Sequence, residues 1–279
     1  MSLSLSQSSR RALVEQLLQE LRDILTRLGI KDYAHYDAKT KRTLLDATIT
    51  VLPPNTLSES GIDKLNQLLQ SELYDRELVD ADTLAQIPSF KVGDTKAVLW
   101  QGDITTLNVD ALVNAANHQL LGCFQPQHKC IDNAIHNRAG VQLRNDCHTI
   151  MIKQGHVEAT GDAKVTRAYN LPSNYVIHTV GPIVHGEVTT QDKSLLASCY
   201  TSTLDVAKAM DAIRSIAFCA ISTGVFGYPI EQAAPVAIQT VSDWLKQHPN
   251  QLDIVIFNVF SKKDLHIYQA VMEAFACQP

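Results

Sequence analysis

Cys123, His128 and Cys130 stand at C-x4-H-x-C spacing within GCFQPQHKC, two sulfurs and an imidazole in eight residues. As two thiolates and a neutral ring they can close around one Zn2+ ion per chain. A fourth protein ligand is not evident nearby. Structural zinc sites take four protein ligands, whereas catalytic sites take three and keep a position for water or substrate. The loop therefore points to a working metal. The other cysteines, Cys147, Cys199, Cys219 and Cys277, fall in apolar helix-like or strand-like contexts and read as small buried hydrophobes. His136 and His178 read as packed or hydrogen-bonded rather than ligating, and His118 as a loop residue.

The loop needs elements to hold it. Residues 8 to 28, SSRRALVEQLLQELRDILTRL, carry Leu13, Leu17, Leu21, Ile24, Leu25 and Leu28 at helical spacing with Gly29 as a stop. Lys39 to Val51 and Ser58 to Leu78 read as further helices, separated by LPPNT. The first 85 residues are thus expected as a helical extension, its apolar stripe packed on a main domain spanning residues 86–279. Past Ser89 the period shortens. AVLWQGD at 97 to 103, DALVNAAN at 110 to 117, AKVTRAYN at 163 to 170, YVIHTVGP at 175 to 182, SIAFCAIS at 215 to 222 and DIVIFNVF at 253 to 260 read as strands. Segments near 131 to 153, 191 to 210, 231 to 247 and 262 to 276 read as helices between them. The expected class is α/β, a mixed central sheet covered on both faces.

Ligands in such sheets settle beyond the carboxyl ends of strands. Asp103 in QGDIT ends the first strand, and Asn114 and Asn117 end the second. STGVFGYP, Ser222 to Pro229, follows the fifth; Gly224 and Gly227 there permit close backbone approach, and exposed amides can cradle a phosphate. The formal net charge is −5 over 279 residues, with 45% hydrophobic and 19% charged residues. That balance supplies a large core and no basic footprint, so nucleic acid is disfavoured as a partner. No run reaches the length of a membrane span, and Arg10, Arg11 and Glu15 interrupt any signal-like start. The expectation is a cytoplasmic protein with no membrane partner.

Taken in order and spacing, QGDIT, VNAAN, CIDNAIHNRAG, TGDAKVTRAYNLP, YVIHTVGP and ISTGVFGYP resemble a macrodomain, the fold that binds ADP-ribose. GCFQPQHKC, standing where many macrodomains carry a glycine run, is similar to the zinc-dependent hydrolytic branch, as is the helical extension. The resemblance implies a three-layer α/β/α fold and a role for each matching residue. Asp103 would accept from the adenine amine, with the backbone of Ile104 beside it. Ser222, Thr223, Gly224, Val225 and Phe226 would form the diphosphate loop, and the Phe226 ring would lie against the distal ribose. Asn117 would orient that ribose, Asn114 would hold the loop backbone, and Asp132 would orient or deprotonate the attacking water. The implied reaction is removal of mono-ADP-ribose from acidic side chains of a modified protein. A reader that binds ADP-ribose without cleaving it, with zinc ordering the loop, and a hydrolase of free ADP-ribose derivatives share the same pocket. The resemblance also suggests a sirtuin-type ADP-ribosyltransferase and a lipoyl-carrier protein as partners.

Overall fold

The computed structural model describes residues 4–87 and 89–276; Cys277 lies outside them. The chain gathers into two compact units, each discontinuous in sequence. One holds Met1–Glu77, Leu121–Gly155 and Tyr169–Leu171, and the other Leu78–Leu120, His156–Ala168 and Pro172–Pro279. The elements in order begin with α1 (Gln7–Glu20), α2 (Arg22–Arg27), α3 (Ala38–Thr50), α4 (Glu59–Tyr74), β1 (Val79–Asp80), α5 (Ala81–Leu84), β2 (Ser89–Val92) and β3 (Thr95–Gln101). After a 3-10 turn at Ile104–Thr106 come β4 (Leu107–Asn108), β5 (Ala111–Ala116), α6 (Ile131–Ala139), α7 (Val141–Gln154), β6 (Ala163–Arg167) and β7 (Tyr175–Val180). The chain continues through α8 (Thr190–Lys208), β8 (Ser215–Phe218), α9 (Ile230–Gln247), β9 (Ile254–Val259) and α10 (Lys262–Ala276).

In the first unit, α1, α3 and α4 each begin at a polar cap. Ser6, Asp37 and Ser58 accept from the N–H groups of Ser9, Thr40 and Gly61, satisfying donors that the helix itself cannot. The leucine stripe is buried as its spacing demands: Leu17, Leu18, Leu25, Leu45 and Leu68 are fully covered, and Val141 of α7 completes their cluster. The helix expected over residues 8 to 28 is divided at Leu21. The one expected over 131 to 153 is divided at Gly140, whose φ of +92° is open to glycine and strained for other residues. Residues 121–155 thus share a compact unit with the N-terminal helices.

The second unit is built on a sheet of order β2-β3-β9-β8-β5-β7-β6. Its five inner strands run parallel, while β2 and β6 pair antiparallel at the two edges. β8 and β9 are buried at every position, which is why they read as unbroken apolar runs. The mixed sheet follows expectation; the short edge strand β2 and the two-stranded β1–β4 pair do not appear in the sequence reading. Helix α8 opens with a reciprocal capping box of Thr189 and Asp192, and Trp244 of α9 donates its indole N–H to Asp205 of α8 at 2.8 Å. No described helix is long and apolar enough to cross a membrane.

Candidate active site

The candidate metal loop sits in the first unit. The candidate ligand atoms of Cys123, His128 and Cys130 lie within 4.8 Å of one another, and the Cys123 sulfur is 3.5 Å from His128 Nδ1. Cys130 is also the N-cap of α6, its sulfur accepting from the Asn133 N–H at 3.4 Å. Burial pushes the Cys130 thiol up to about 12; the Asn133 N–H opposes the rise, and the Cys123 sulfur and Asp132 carboxylate add to it. Two sulfurs and a carboxylate this close repel one another as anions, so the donor set fits a divalent cation, whose charge stabilises thiolates. Soft sulfur with imidazole suits zinc.

Asp132 occupies the first turn of α6, where the helix dipole favours a carboxylate. It is 5% exposed, and its Oδ1 lies 3.4 Å from His136 Nε2 one turn on. The His136 ring in turn packs on Gly122 (φ +84°), where an added Cβ would come within 2.9 Å of it. His136 therefore belongs to the support of Asp132, in keeping with its expected packed role.

The second unit carries the other candidates at the carboxyl ends of β3, β5 and β8, along one edge of the parallel strands. Asp103 is exposed; its Oδ1 accepts from the Thr105 N–H at 3.0 Å and the Thr105 hydroxyl at 2.7 Å, which fixes the carboxylate above the 3-10 turn. Ile104 behind it is buried. Asn117 directly follows β5, and its Oδ1 accepts from the Gln119 N–H at 2.9 Å, so the amide is held by its own turn. Asn114 is fully buried and bonded to His178 at 3.2 Å; His178 in turn meets the Thr166 hydroxyl at 3.0 Å. Burial pushes His178 down to about 3, so this polar chain inside the sheet is neutral. His118 closes the same turn through the backbone, its ring 2.8 Å from the Glu158 carbonyl.

After β8 the chain folds into a stapled turn. Ser222 takes φ +64° and its carbonyl accepts from the Tyr228 N–H at 3.0 Å, while Gly227 donates to Gly224 at 3.1 Å. The Phe226 carbonyl accepts from Val184 at 2.8 Å. Thr223 donates to Ala220 at 3.4 Å, and among the described residues the amides of Gly224, Val225 and Phe226 make no backbone hydrogen bond. Three successive N–H groups without a backbone acceptor are the kind of donors that a bound anion can use. Gly181 fits against this turn because it lacks a side chain.

Three contributors escape the sequence reading. Asn258 at the end of β9 donates to the Gly102 carbonyl at 3.0 Å and so sets the turn that presents Asp103. Arg144 is buried in α7, where its guanidinium donates to the carbonyls of Ile49, Thr50, Leu52 and Leu121. Asn133 binds the metal loop itself, donating to the His128 carbonyl at 3.0 Å. The one available signal was the polar residue inside the apolar run DIVIFNVF. Cys147, Cys199 and Cys219 are buried as expected.

A carboxylate, an amide side chain and a row of open backbone donors at the ends of parallel strands are groups that an α/β protein can offer to a phosphorylated, hydroxyl-rich ligand. The family model described as Macro domain matches residues 113–237. A protein-ADP-ribose hydrolase of Treponema medium is 47% identical over 236 residues, covering 85% of this chain and 89% of that one. Among solved structures, the Oceanobacillus iheyensis macrodomain with ADP is 36% identical at a TM-score of 0.61, covering 67% of this chain and 95% of that one. The Trypanosoma brucei macrodomain in complex with ADP-ribose is 31% identical at a TM-score of 0.62, covering 80% of this chain and 94% of that one. The chain belongs to the macro domain family, and its class is the α/β/α macrodomain that its motifs imply.

Proposed function

We propose that this chain is a protein-ADP-ribose hydrolase that releases ADP-ribose from mono-ADP-ribosylated acidic side chains. Family membership supports the activity, and the observation that carries a hydrolytic site over a purely binding one is the buried Asp132 carboxylate beginning the helix that Cys130 caps. In this reading residues 86–279 are the macrodomain and residues 1–85 its helical extension, acting in the cytoplasm. Its partners are the modified protein and, following the family resemblance, a sirtuin-type ADP-ribosyltransferase and a lipoyl-carrier protein.

Asp103 accepts from the adenine amine, and the Ile104 backbone lies beside the base. The Ser222 to Phe226 turn binds the diphosphate through its open amides, with the Phe226 ring covering the distal ribose. Asn117 offers donor and acceptor to the vicinal hydroxyls of that ribose. Asp132 orients a water toward the anomeric carbon and takes its proton. The bond from that carbon to the side-chain oxygen breaks, and the released carboxylate keeps the bonding electrons. General-base assistance of this kind is worth roughly 100- to 10,000-fold in rate. Zinc held by Cys123, His128 and Cys130 supplies Lewis acidity when bound.

The test is release of ADP-ribose from a protein mono-ADP-ribosylated on acidic residues, by zinc-loaded, chelator-stripped and Cys130→Ala protein. Turnover by the loaded form alone supports the whole reading. Equal turnover by all three removes the metal from the reaction, and binding with no turnover in any form makes the chain a reader. Cleavage of free ADP-ribose derivatives but not of the modified protein relocates the substrate class.

A further inference from the structure

The C-terminal turn of α3 reaches the loop by two separate routes, both made of buried or half-buried side chains within one compact unit. On the first, Arg144 Nη1 donates to the carbonyls of Ile49 (2.8 Å) and Leu52 (2.6 Å), and Nη2 to that of Thr50 (3.1 Å). The same guanidinium donates from Nε to Leu121 at 2.7 Å, two residues ahead of Cys123, and lies 4.7 Å over the Phe124 ring. On the second route, Asn137 Nδ2 donates to Asn133 Oδ1 at 3.1 Å and to the Thr50 hydroxyl at 3.2 Å; that hydroxyl gives its own proton to the Asp46 carbonyl at 2.8 Å and lies 3.2 Å from Asn133 Oδ1. That leaves Asn133 Nδ2 aimed at the carbonyls of His128 (3.0 Å) and Gln125 (3.5 Å), while the Asn133 backbone N–H binds the Cys130 sulfur. One route fixes the entry of the loop and the other fixes its exit.

Among the described residues the loop 121–130 contains no helix or strand, so its shape depends on such side-chain anchors. Held at both ends, its three donors are preset for one ion and lose less freedom on binding it. We infer that Asn133, backed by Asn137 and Thr50, is a positioning residue for the metal ligands at the exit of the loop, as Arg144 is at its entry, and that the N-terminal helices act in the reaction by setting zinc affinity. The inference rests on the zinc reading above and goes beyond it by giving the helical extension a role in the metal site.

The experiment uses the full chain, comparing wild type with Asn133→Ala and the nearly isosteric Thr50→Val. Zinc affinity is read by competition with a chromogenic chelator, ligand geometry by the thiolate-to-metal absorption of the Co2+ form, and folding by the melting curve of the metal-free protein. Outer partners of metal ligands typically hold about 10- to 100-fold in affinity. Asn133→Ala is expected to lose zinc affinity in that range and to shift the Co2+ bands, and Thr50→Val to move both in the same direction by less, with metal-free melting close to wild type. Should Asn133→Ala fail to fold, Thr50→Val carries the test. Wild-type affinity and spectra in the folded variants overturn the positioning role while leaving the zinc site intact. A wild-type chain that takes up no stoichiometric zinc overturns the metal reading and this inference together.

Discussion

Replacing Gly181 by alanine is expected to disable the diphosphate turn without touching any residue of it. A Cβ at this position would sit 2.0 Å from the Ser222 Oγ, 2.9 Å from the Ile221 Cγ2 and 3.2 Å from the Ser222 Cβ. Rotating the serine hydroxyl relieves the first clash and leaves the other two, because Ser222 and Ile221 are both buried. The Ser222 backbone must therefore yield, and its carbonyl is the staple that accepts from Tyr228. Overpacking of this kind costs about 1 to 3 kcal/mol of stability. The shift required is a few tenths of an ångström, short of the near-1 Å misplacement that costs roughly 100-fold. Titration calorimetry with ADP-ribose should show a loss of up to about 10-fold, while adenosine, which lacks the diphosphate, should bind as to wild type. Undiminished ADP-ribose affinity in a folded Gly181→Ala protein would show that the Ser222 to Phe226 turn does not hold the ligand.

Asp103→Ala should weaken ADP-ribose binding by about 1.5 to 3 kcal/mol, the range for hydrogen bonds to a charged group, and calorimetry showing no loss would remove Asp103 from the site. Arg144→Met strips donors from four carbonyls at once and should destabilise the chain by about 3 to 5 kcal/mol in urea unfolding; a change under 1 kcal/mol would mean the carbonyls find other partners. His178 is held down at about 3 while an unfolded histidine titrates near 6.5, so the unfolded chain binds its proton first as pH falls. The stability from keeping it neutral is complete above pH 6.5 and declines below it, by at most about 1.4 kcal/mol per pH unit, toward the folded value. Melting curves between pH 7 and 5 should show this slope in wild type and a shallower one in His178→Asn; identical slopes would refute it.

The parts of the molecule legible in its sequence are those whose logic is local. The C-x4-H-x-C spacing of Cys123, His128 and Cys130 already brings three donors within reach, and the apolar run of IVIFNV is itself the statement that β9 is covered on both faces. The glycine-containing turn after β8 is visible because Gly224 and Gly227 have few other uses. What stayed hidden depends on partners far along the chain. Nothing in QLRNDCH marks Arg144 as buried, because its acceptors at Ile49 to Leu52 are more than ninety residues away. Asn133 reads as one more polar residue in a helix until His128 and Thr50 are placed on either side of it. The edge strand SFKV lacks length and alternation, and exists because β3 offers it a ladder.

The discontinuity of the first unit has a consequence for how the protein is born. As the chain leaves the ribosome, α1 to α4 emerge before Val141, the residue that completes their leucine cluster. At roughly 5 to 20 residues per second, that cluster waits several seconds for its last member, a window in which aggregation or chaperone capture competes with folding. The same delay links quality control to chemistry. Val141 arrives only with Leu121–Gly155, and that segment also carries Cys123, His128, Cys130 and Asp132. A chain that stops short of that segment therefore lacks a member of its helical core and the three candidate metal donors together.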